Sequence, residues 1–476
     1  MNAVNPANPV LSGNYAPIDR EVVLDDLKVI GEIPKDLNGV YVRNGTNRRY
    51  AAQGRYHWFD GDGMLHGAYF ENGKVTYRNR WVRTKAFLEE EKAGRALWEG
   101  VMEPPRRDRP DMPLKDTSNT DVTFHAGKLI TMWYLAGDIY AVDPATLATD
   151  GQETFGGTLK CRISAHSKVD EATGEFIFFD YGKKAPYMSY GVVGPDRRVT
   201  HWTPIELPGP RLPHDLAITR NYSILHDLPL FYDMEAFKAG RHKIKFHHEM
   251  PARFGVIPRH GQGSEIRWFE AEPCFVYHVV NAWEEGDEVV MTGCRYVTPR
   301  KPNGEPDSER YAKMIAHLMM DAILYQWRFN LATGATKEGP LDDTLNAEFP
   351  MINGAWQTRR NRWSYNVMMA RWPADEPRFT GLVKFDLDSG RYQAFSEGPH
   401  FWYSEAPFAE RDNAKSEDDG YLVSFVWNPN ESRSELQVFD AQNLGDGPVA
   451  RVLMPQRVPN GFHATWVSAK RLAGGM

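Results

Sequence analysis

Short apolar strands separated by tight turns recur along most of the chain, and this pattern constrains the fold more than any other feature. Several strands end in turns such as FDLDSG and FDAQNLGDG, which are typical of β-hairpins. The 14 Trp, 21 Tyr and 24 Phe favour strands, and the 40 Gly and 32 Pro favour the turns between them. The clearest predicted strand segments are 128–143, 175–182, 188–193, 288–296, 381–387, 421–427 and 435–440.

So many strands, with no long alternation of strand and helix, predict an all-β architecture. Length alone would allow two or three average domains in 476 residues, but large all-β folds often form one unit. A β-propeller repeats four-stranded sheets around an axis and so accommodates many strands with few exposed edges. We therefore expect a single propeller domain over residues 1–476.

Two segments depart from the strand pattern. Residues 85–116 begin with the helical run KAFLEEEKAGRALWEG and end in a stretch rich in Pro and Arg. Residues 299–320 begin with the polar stretch PRKPNGEPDSER. Each segment is either an insertion that caps one face of the propeller or an ordinary solvated loop, and the sequence leaves both interpretations open.

Charge and cysteine content exclude several classes of protein. The net charge is −7 and no basic block is present, so a nucleic-acid partner is not expected. Three widely spaced cysteines form neither a disulfide framework nor a zinc module. The first residues lack the features of a signal peptide, and no stretch reaches the roughly 20 apolar residues of a membrane span. We expect a cytoplasmic protein without an obligate protein partner, and weak association with a membrane surface stays open.

Four histidines stand out by their context. They are His166 in RISAHSKVD, His214 in RLPHDLAITRNY, His278 in CFVYHVVNAWEEG and His463 in VPNGFHATWV. They are too far apart in sequence for a local motif, but inner strands of different blades all point at the axis of a propeller. Any one of the 15 histidines is more often an ordinary core or surface residue. The four contexts together predict one metal site on the axis.

The flanking sequences resemble the carotenoid cleavage oxygenase superfamily, which includes lignostilbene and isoeugenol cleaving enzymes and apocarotenoid oxygenases. The resemblance runs nearly end to end. It includes GEIPKDLNGVYVRNGTN, HWFDGDGMLHG, SNTDVTFHAGKLITMW, AHSKVD, HDLAITRNYSI, YHVVNAWEEG, EFPMING, SEAPF and PNGFHATWV.

The resemblance implies a seven-bladed propeller with a helical and loop cap, and Fe(II) on the axis. The implied iron ligands are His166, His214, His278 and His463. Glu348 and Glu405 would orient two imidazoles through their other ring N–H, although ordinary loop surface is the alternative for both. Thr120 would narrow one open position at the iron. The implied reaction cleaves a C=C bond with O₂ into two carbonyl products.

The chain departs from the family pattern at one position. Most relatives carry a third orienting glutamate where this chain has Trp133 and Tyr134, so that carboxylate is absent or replaced by the Tyr134 hydroxyl. Stilbene and isoeugenol cleaving enzymes use a Lys-Glu pair there and a tyrosine near Val101 to bind a phenol. This chain lacks both the Lys-Glu pair and the tyrosine, and their absence favours an apolar conjugated alkene, a carotenoid or apocarotenoid, as substrate. The candidate residues of the substrate pocket are Phe59, Trp133, Tyr134 and Phe349.

Three alternatives remain at this point. A stilbene or phenylpropanoid alkene is the main rival substrate. Isomerisation and hydrolysis of a retinyl ester is a second iron-dependent reaction known in the superfamily. A propeller that serves only as an interaction scaffold would bind no iron and would tolerate replacement of His214 or His278.

Overall fold

A computed structural model of the chain describes residues 8–239, 241, 243–319, 321–371 and 377–474. The remaining positions, which include residue 320 at the end of the second expected cap segment, lie outside the described residues. Among the described residues, no helix has the length and apolar character needed to cross a bilayer.

Strands dominate the molecule, and they match the predicted strand segments. The strands of the first half are β1 Val23–Leu24, β2 Lys28–Gly31, β3 Gly39–Thr46, β4 Gly63–Glu71, β5 Lys74–Trp81, β6 Asp121–His125, β7 Lys128–Met132, β8 Tyr140–Val142, β9 Thr149–Gln152, β10 Lys168–Asp170, β11 Glu175–Tyr181, β12 Tyr187–Val193, β13 Val199–Glu206, β14 Ala217–Ile218, β15 Tyr222–Asp227 and β16 Leu230–Tyr232. Those of the second half are β17 Ile244–Phe246, β18 Ala252–Pro258, β19 Arg267–Ala271, β20 Val276–Glu285, β21 Glu288–Tyr296, β22 Ala322–Asn330, β23 Thr336–Asp342, β24 Ala347–Met351, β25 Trp363–Met369, β26 Phe379–Asp386, β27 Arg391–Phe395, β28 Trp402–Tyr403, β29 Phe408–Glu410, β30 Gly420–Asn428, β31 Arg433–Asp440, β32 Pro448–Leu453 and β33 Ala464–Ser468.

The strands form a seven-bladed β-propeller of antiparallel sheets, as predicted. From the axis outward the blades are I (β33, β3, β4, β5, β1), II (β6 to β9), III (β10 to β13), IV (β14, β15, β18, β19), V (β20 to β23), VI (β24 to β27) and VII (β28 with β29, β30, β31, β32, β2). Two blades combine strands from both ends of the described chain. β33 pairs with β3, and β2 pairs with β32, so blades I and VII close the ring by backbone hydrogen bonds.

The outer strand of each blade is less buried than the strands nearer the axis. In blade III, β11 and β12 are almost wholly buried, whereas the outer strand β13 alternates between inward and exposed residues. The apolar runs of the inner strands follow from this burial on both faces, and the alternation of the outer strands follows from burial on one face.

Helices and one extra hairpin lie outside the blades. The helices are α1 Lys85–Ala93, α2 Met234–Lys238, α3 Ser308–Ala316 and α4 Ala469–Leu472. The hairpin pairs β16 with β17. The α1 segment is attached by a buried ion pair network, in which the Lys115 ammonium contacts Glu90 of α1 at 2.7 Å and Asp62 at 2.5 Å. The segment that begins at residue 299 continues into α3, so it is more than a polar loop.

Candidate metal centre

The inner strand of every blade starts near the axis, and each blade places a polar side chain there. These side chains are His463 in blade I, Thr120 and Asp121 in blade II, His166 in blade III, His214 in blade IV, His278 in blade V, Glu348 in blade VI and Glu405 in blade VII. All are 7% exposed or less, apart from Asp121, which is half-buried. Residues that lie far apart in sequence thus meet because one structural position repeats around the ring.

The four predicted histidines come together. One ring nitrogen each of His166, His214 and His278 lies within 4.8 Å of the others. The ring of His463 lies with its centroid 4.5 Å from that of His166 and 4.7 Å from that of His278. Four imidazoles around one point are a donor set for a divalent transition metal.

The two predicted glutamates contact two of the imidazoles. Glu348 Oε2 lies 2.5 Å from His278 Nδ1, and Glu405 Oε1 lies 3.2 Å from His463 Nδ1. Both glutamates are buried, so the alternative of ordinary loop surface does not describe them. A carboxylate that accepts a hydrogen bond from Nδ1 fixes the tautomer and leaves the Nε2 lone pair for a metal.

The protonation states and hydrogen bonding of the histidines fit a cation. Burial lowers the pKa of His166, His214 and His278 well below 6.5, so these imidazoles are neutral. Burial also lowers the pKa of His463, but the Glu405 carboxylate outweighs this effect and the net pKa is raised. The buried Nε2 atoms of His166 and His278 have no hydrogen-bond partner within the described part of the chain. Two orphaned, inward-facing nitrogens of this kind suit metal coordination.

Thr120 lies beside this centre. Its backbone carbonyl oxygen accepts a hydrogen bond from the backbone N–H of His463 at 3.3 Å. Its Oγ1 accepts the N–H of Tyr134 at 3.2 Å and donates to Asn119 Oδ1 at 3.1 Å. The threonine therefore has a fixed rotamer next to one axial histidine.

A largely apolar cavity of about 620 Å³ reaches the centre at His214. Its buried and half-buried apolar lining includes Phe59, Val101, Met102, Leu135, Leu212, Pro213, Leu230, Ile244, Phe246, Phe275, Ala312 and Ile315. Exposed charged side chains on β17 and α3 mark where the cavity meets solvent. The volume falls within the range of about 300–1,000 Å³ that is typical of ligand pockets.

Both expected cap segments and the β16–β17 hairpin contribute to this cavity. Residues 101 and 102 come from the first segment, and residues 308–317 include the lining from α3. The hairpin was not singled out in the sequence, because its strands are short and resemble any other turn between blades. A second cavity of about 220 Å³, lined by both polar and apolar side chains, contacts His166, His278 and His463. The four imidazoles thus lie between a largely apolar cavity and one of mixed lining.

The four candidate pocket residues fall into two pairs. Phe59 and Tyr134 line the apolar cavity, and their rings lie 4.2 Å apart. Trp133 and Phe349 are not among the described residues that line it. Trp133 packs edge-on behind Tyr134 at 6.0 Å, and Phe349 stacks on the His463 ring at 4.8 Å. Phe349 therefore supports the imidazoles rather than the cavity wall.

Tyr134 does not replace the missing third carboxylate. Its hydroxyl makes no hydrogen bond to an axial histidine within the described residues, and its side chain faces the apolar cavity. Three further tyrosines, Tyr181, Tyr232 and Tyr277, line the same cavity. The Tyr181 hydroxyl donates to the Tyr134 carbonyl at 2.5 Å, and the Tyr277 hydroxyl donates to the Ile315 carbonyl at 3.0 Å. No motif in the sequence marks Tyr181, Tyr232 and Tyr277, so they were not among the predicted pocket residues.

Comparison with known proteins identifies the family. Residues 15–468 match the family model described as retinal pigment epithelial membrane protein. A carotenoid 9,10(9′,10′)-cleavage dioxygenase of Crocus sativus is 37% identical, over 97% of this chain and 89% of its own length. Isoeugenol monooxygenase of Pseudomonas nitroreducens is 32% identical, over 98% of this chain and 99% of its own.

A solved structure shows the same fold. The crystal structure of Pseudomonas brassicacearum lignostilbene dioxygenase superposes with a TM-score of 0.86 at 29% identity, and the match covers 98% of this chain and 99% of that one. Sequence and fold agree over the whole propeller, including every blade that contributes to the metal centre. The chain belongs to the retinal pigment epithelial membrane protein family, that is, to the carotenoid cleavage oxygenases.

Proposed function

We propose that the chain is a non-haem Fe(II) dioxygenase that cleaves a C=C bond of an apolar conjugated alkene of the carotenoid or apocarotenoid type. The observation that carries this proposal is the cluster of four axial imidazoles, which an apolar cavity of about 620 Å³ reaches at His214. A flat polyene fits such walls because burial of its apolar surface stabilises the complex.

The reaction balances without a reductant. One C=C bond and one O₂ are consumed, and two C=O bonds form, so each oxygen atom ends in one carbonyl product. Fe(II), when bound by His166, His214, His278 and His463, supplies the activation of O₂. The neutral imidazoles of His166, His214 and His278 need no proton loss before they bind the cation. Bound positive charge would also favour the ionised form of Glu348, whose pKa burial raises well above its usual value.

The protein would orient the substrate and exclude water from the reacting bond. Phe59 and Tyr134 form one aromatic wall beside Thr120, and Tyr277 packs edge-on against His214 with 4.3 Å between ring centroids. Together they would hold a conjugated chain next to the axial histidines. The cap formed by the segment 85–116, through Val101 and Met102, and by α3 would keep water from the reacting bond, which protects an activated oxygen from side reactions.

A hydroxylated aromatic alkene of the stilbene or phenylpropanoid type is the second candidate substrate. The observation that favours it is the Tyr134 hydroxyl, which has no hydrogen-bond partner within the described part of the chain. A phenol or carbonyl oxygen on a substrate could pair with that hydroxyl. Two relatives named above, lignostilbene dioxygenase and isoeugenol monooxygenase, carry such substrates in their names.

Aerobic turnover of the Fe(II)-loaded protein distinguishes the two candidates. An apocarotenal and 4-hydroxystilbene are offered separately, and carbonyl products are identified by mass. Cleavage of the apocarotenal with the higher kcat/KM supports the proposal, and cleavage of the stilbene alone transfers the assignment to the second candidate. His278→Ala serves as the inactive control. Failure of both substrates with one iron per chain would contradict both assignments.

A further inference from the structure

We propose that Asp121 is a positioning residue of the metal centre, whose carboxylate fixes the backbone of His166. It would supply acidic support on blade II, where the chain lacks the expected third glutamate. The inference rests on the proposed function, since it assumes that His166 binds the metal.

The contacts of Asp121 join it to His166. Asp121 is the first residue of β6, and its Oδ2 accepts the backbone N–H of His166 at 2.9 Å. The same oxygen lies 3.9 Å from His166 Nδ1, which is beyond hydrogen-bond distance. The other oxygen, Oδ1, accepts the N–H of Val122 at 2.7 Å. Both oxygens therefore hold backbone groups, and one of these groups belongs to an axial histidine.

His166 needs this support because of its backbone conformation. Its φ of +67° lies in the left-handed region, which residues with a Cβ atom rarely adopt. Such a conformation persists only where its surroundings hold it. The backbone angles also set the direction in which the imidazole leaves the chain. The hydrogen bond to Asp121 thus helps to determine where the partnerless His166 Nε2 lies.

A carboxylate also accepts a backbone N–H beside two other axial histidines. Glu405 Oε2 accepts the N–H of Ala464, the residue after His463, at 2.6 Å. Asp215 Oδ2 accepts the N–H of Val279, the residue after His278, at 2.8 Å. A carboxylate at the start of one inner strand therefore holds the backbone beside a histidine of another blade. Asp121 is a third instance of this arrangement, and Asn44 Nδ2 fixes its carbonyl oxygen at 3.0 Å.

Metal retention provides the test. Asp121→Asn keeps the shape of the side chain but leaves a single oxygen for two N–H donors, and Asp121→Ala removes both acceptors. Asp116→Asn is the matched control, because Asp116 is a buried aspartate of the same segment that accepts the N–H groups of Ser118 and Asp138. Each protein is loaded anaerobically with one equivalent of Fe(II), and a chromogenic ferrous chelator then withdraws the iron.

We expect both Asp121 variants to release Fe(II) roughly ten to a hundred times faster than the wild type, because loss of a residue that orients a metal ligand typically lowers metal affinity by that factor. The Asp116→Asn variant should release iron at the wild-type rate. Cobalt(II) loading adds a spectroscopic measurement, since the ligand-field absorption reports the geometry of the four imidazoles. The spectrum should shift in Asp121→Asn while the melting temperature of the metal-free protein stays unchanged.

Two outcomes would overturn the inference. Wild-type release rates and cobalt spectra in both Asp121 variants would show that His166 is positioned without Asp121. A lower melting temperature of the metal-free protein, with an unchanged cobalt spectrum, would assign Asp121 a purely structural role. If Asp121→Ala does not fold, the Asp121→Asn comparison decides the result. Failure of the wild type itself to retain Fe(II) would instead contradict the proposed function.

Discussion

The four axial histidines differ in how their side chains are held. His278 and His463 each contact a buried glutamate through Nδ1. His166 is held mainly through its backbone. The His214 ring has no hydrogen bond within the described residues and packs edge-on against Tyr277. His214 is also the histidine that lines the apolar cavity, so the least constrained imidazole is the one that faces the proposed substrate.

Tyr134→Phe tests what the free hydroxyl in the cavity does. Loss of one hydrogen bond to a substrate oxygen costs about 0.5–1.5 kcal/mol, which corresponds to a fall of roughly two- to tenfold in kcat/KM. We expect that fall for 4-hydroxystilbene and no loss for an apolar polyene. Steady-state kinetics with both substrates measure the effect. Equal losses for both would mean that the hydroxyl serves the reaction rather than substrate choice.

His226 should make the fold sensitive to acid. It is fully buried on β15, neither ring nitrogen has a partner in the described part of the chain, and burial lowers its pKa from 6.5 to about 3. Below pH 6.5 His226 therefore binds a proton in the unfolded chain, whereas in the folded chain it stays neutral down to about pH 3. Stability should fall as the pH drops through this window, by about 2 kcal/mol at pH 5 from this group alone.

Urea unfolding of the wild type and of His226→Leu between pH 4 and pH 7 checks this expectation. The variant lacks the titrating ring, so its free energy of unfolding should decline less steeply with acid. Parallel pH profiles of the two proteins would show that His226 does not contribute in this window.

The propeller ring closes where the segment before β33 packs against β3, and the two backbones approach too closely there for side chains to fit between them. The segment before β33 runs along β3, where the Asn44 N–H donates to the His463 carbonyl at 2.8 Å and the Phe462 N–H donates to the Asn44 carbonyl at 2.9 Å. A Cβ atom on Gly45 would lie 2.8 Å from Gly461 Cα. The position of His463 thus depends on a close approach of two glycines.

Gly461→Ala should displace the segment that carries His463. Its new Cβ would lie 2.7 Å from Arg43 Nε and 2.9 Å from the Asn44 carbonyl oxygen, closer than van der Waals contact allows. We expect a loss of about 1–3 kcal/mol in stability, together with a lower iron content. Gly445→Ala is the control, because nothing lies within 4 Å of its new Cβ. Wild-type melting temperature and iron content in Gly461→Ala would contradict this account.

At the scale of the whole molecule, strand pattern and family motifs predicted the propeller, and both the fold class and the family are confirmed. The motifs also identified residues that meet on the axis, although their roles as ligands stay predictions. The direction of neighbouring side chains could not be predicted, because it depends on local backbone geometry. Trp133 and Tyr134 are adjacent in sequence, yet only Tyr134 lines the cavity.

The contribution of Asp121 was also hidden in the sequence. It follows Thr120 in the quoted motif SNTD, but its contact with His166 joins two blades and depends on an unusual backbone angle at His166. Likewise, the β16–β17 hairpin lies between β15 and β18 of blade IV, and its place in the cavity wall depends on how that blade packs against the cap. Such features arise from packing between elements and have no local pattern.

The stoichiometry of oxygen use tests the central claim most directly. The Fe(II)-loaded protein is mixed with a measured amount of an apocarotenal in a closed cell, and O₂ uptake, alkene loss and carbonyl products are counted together. We expect one O₂ to be consumed and two carbonyl groups to form for each C=C bond cleaved, without any added reductant. Iron-loaded protein that consumes no O₂, or consumes it without cleaving an alkene, would rule out the proposed dioxygenase reaction.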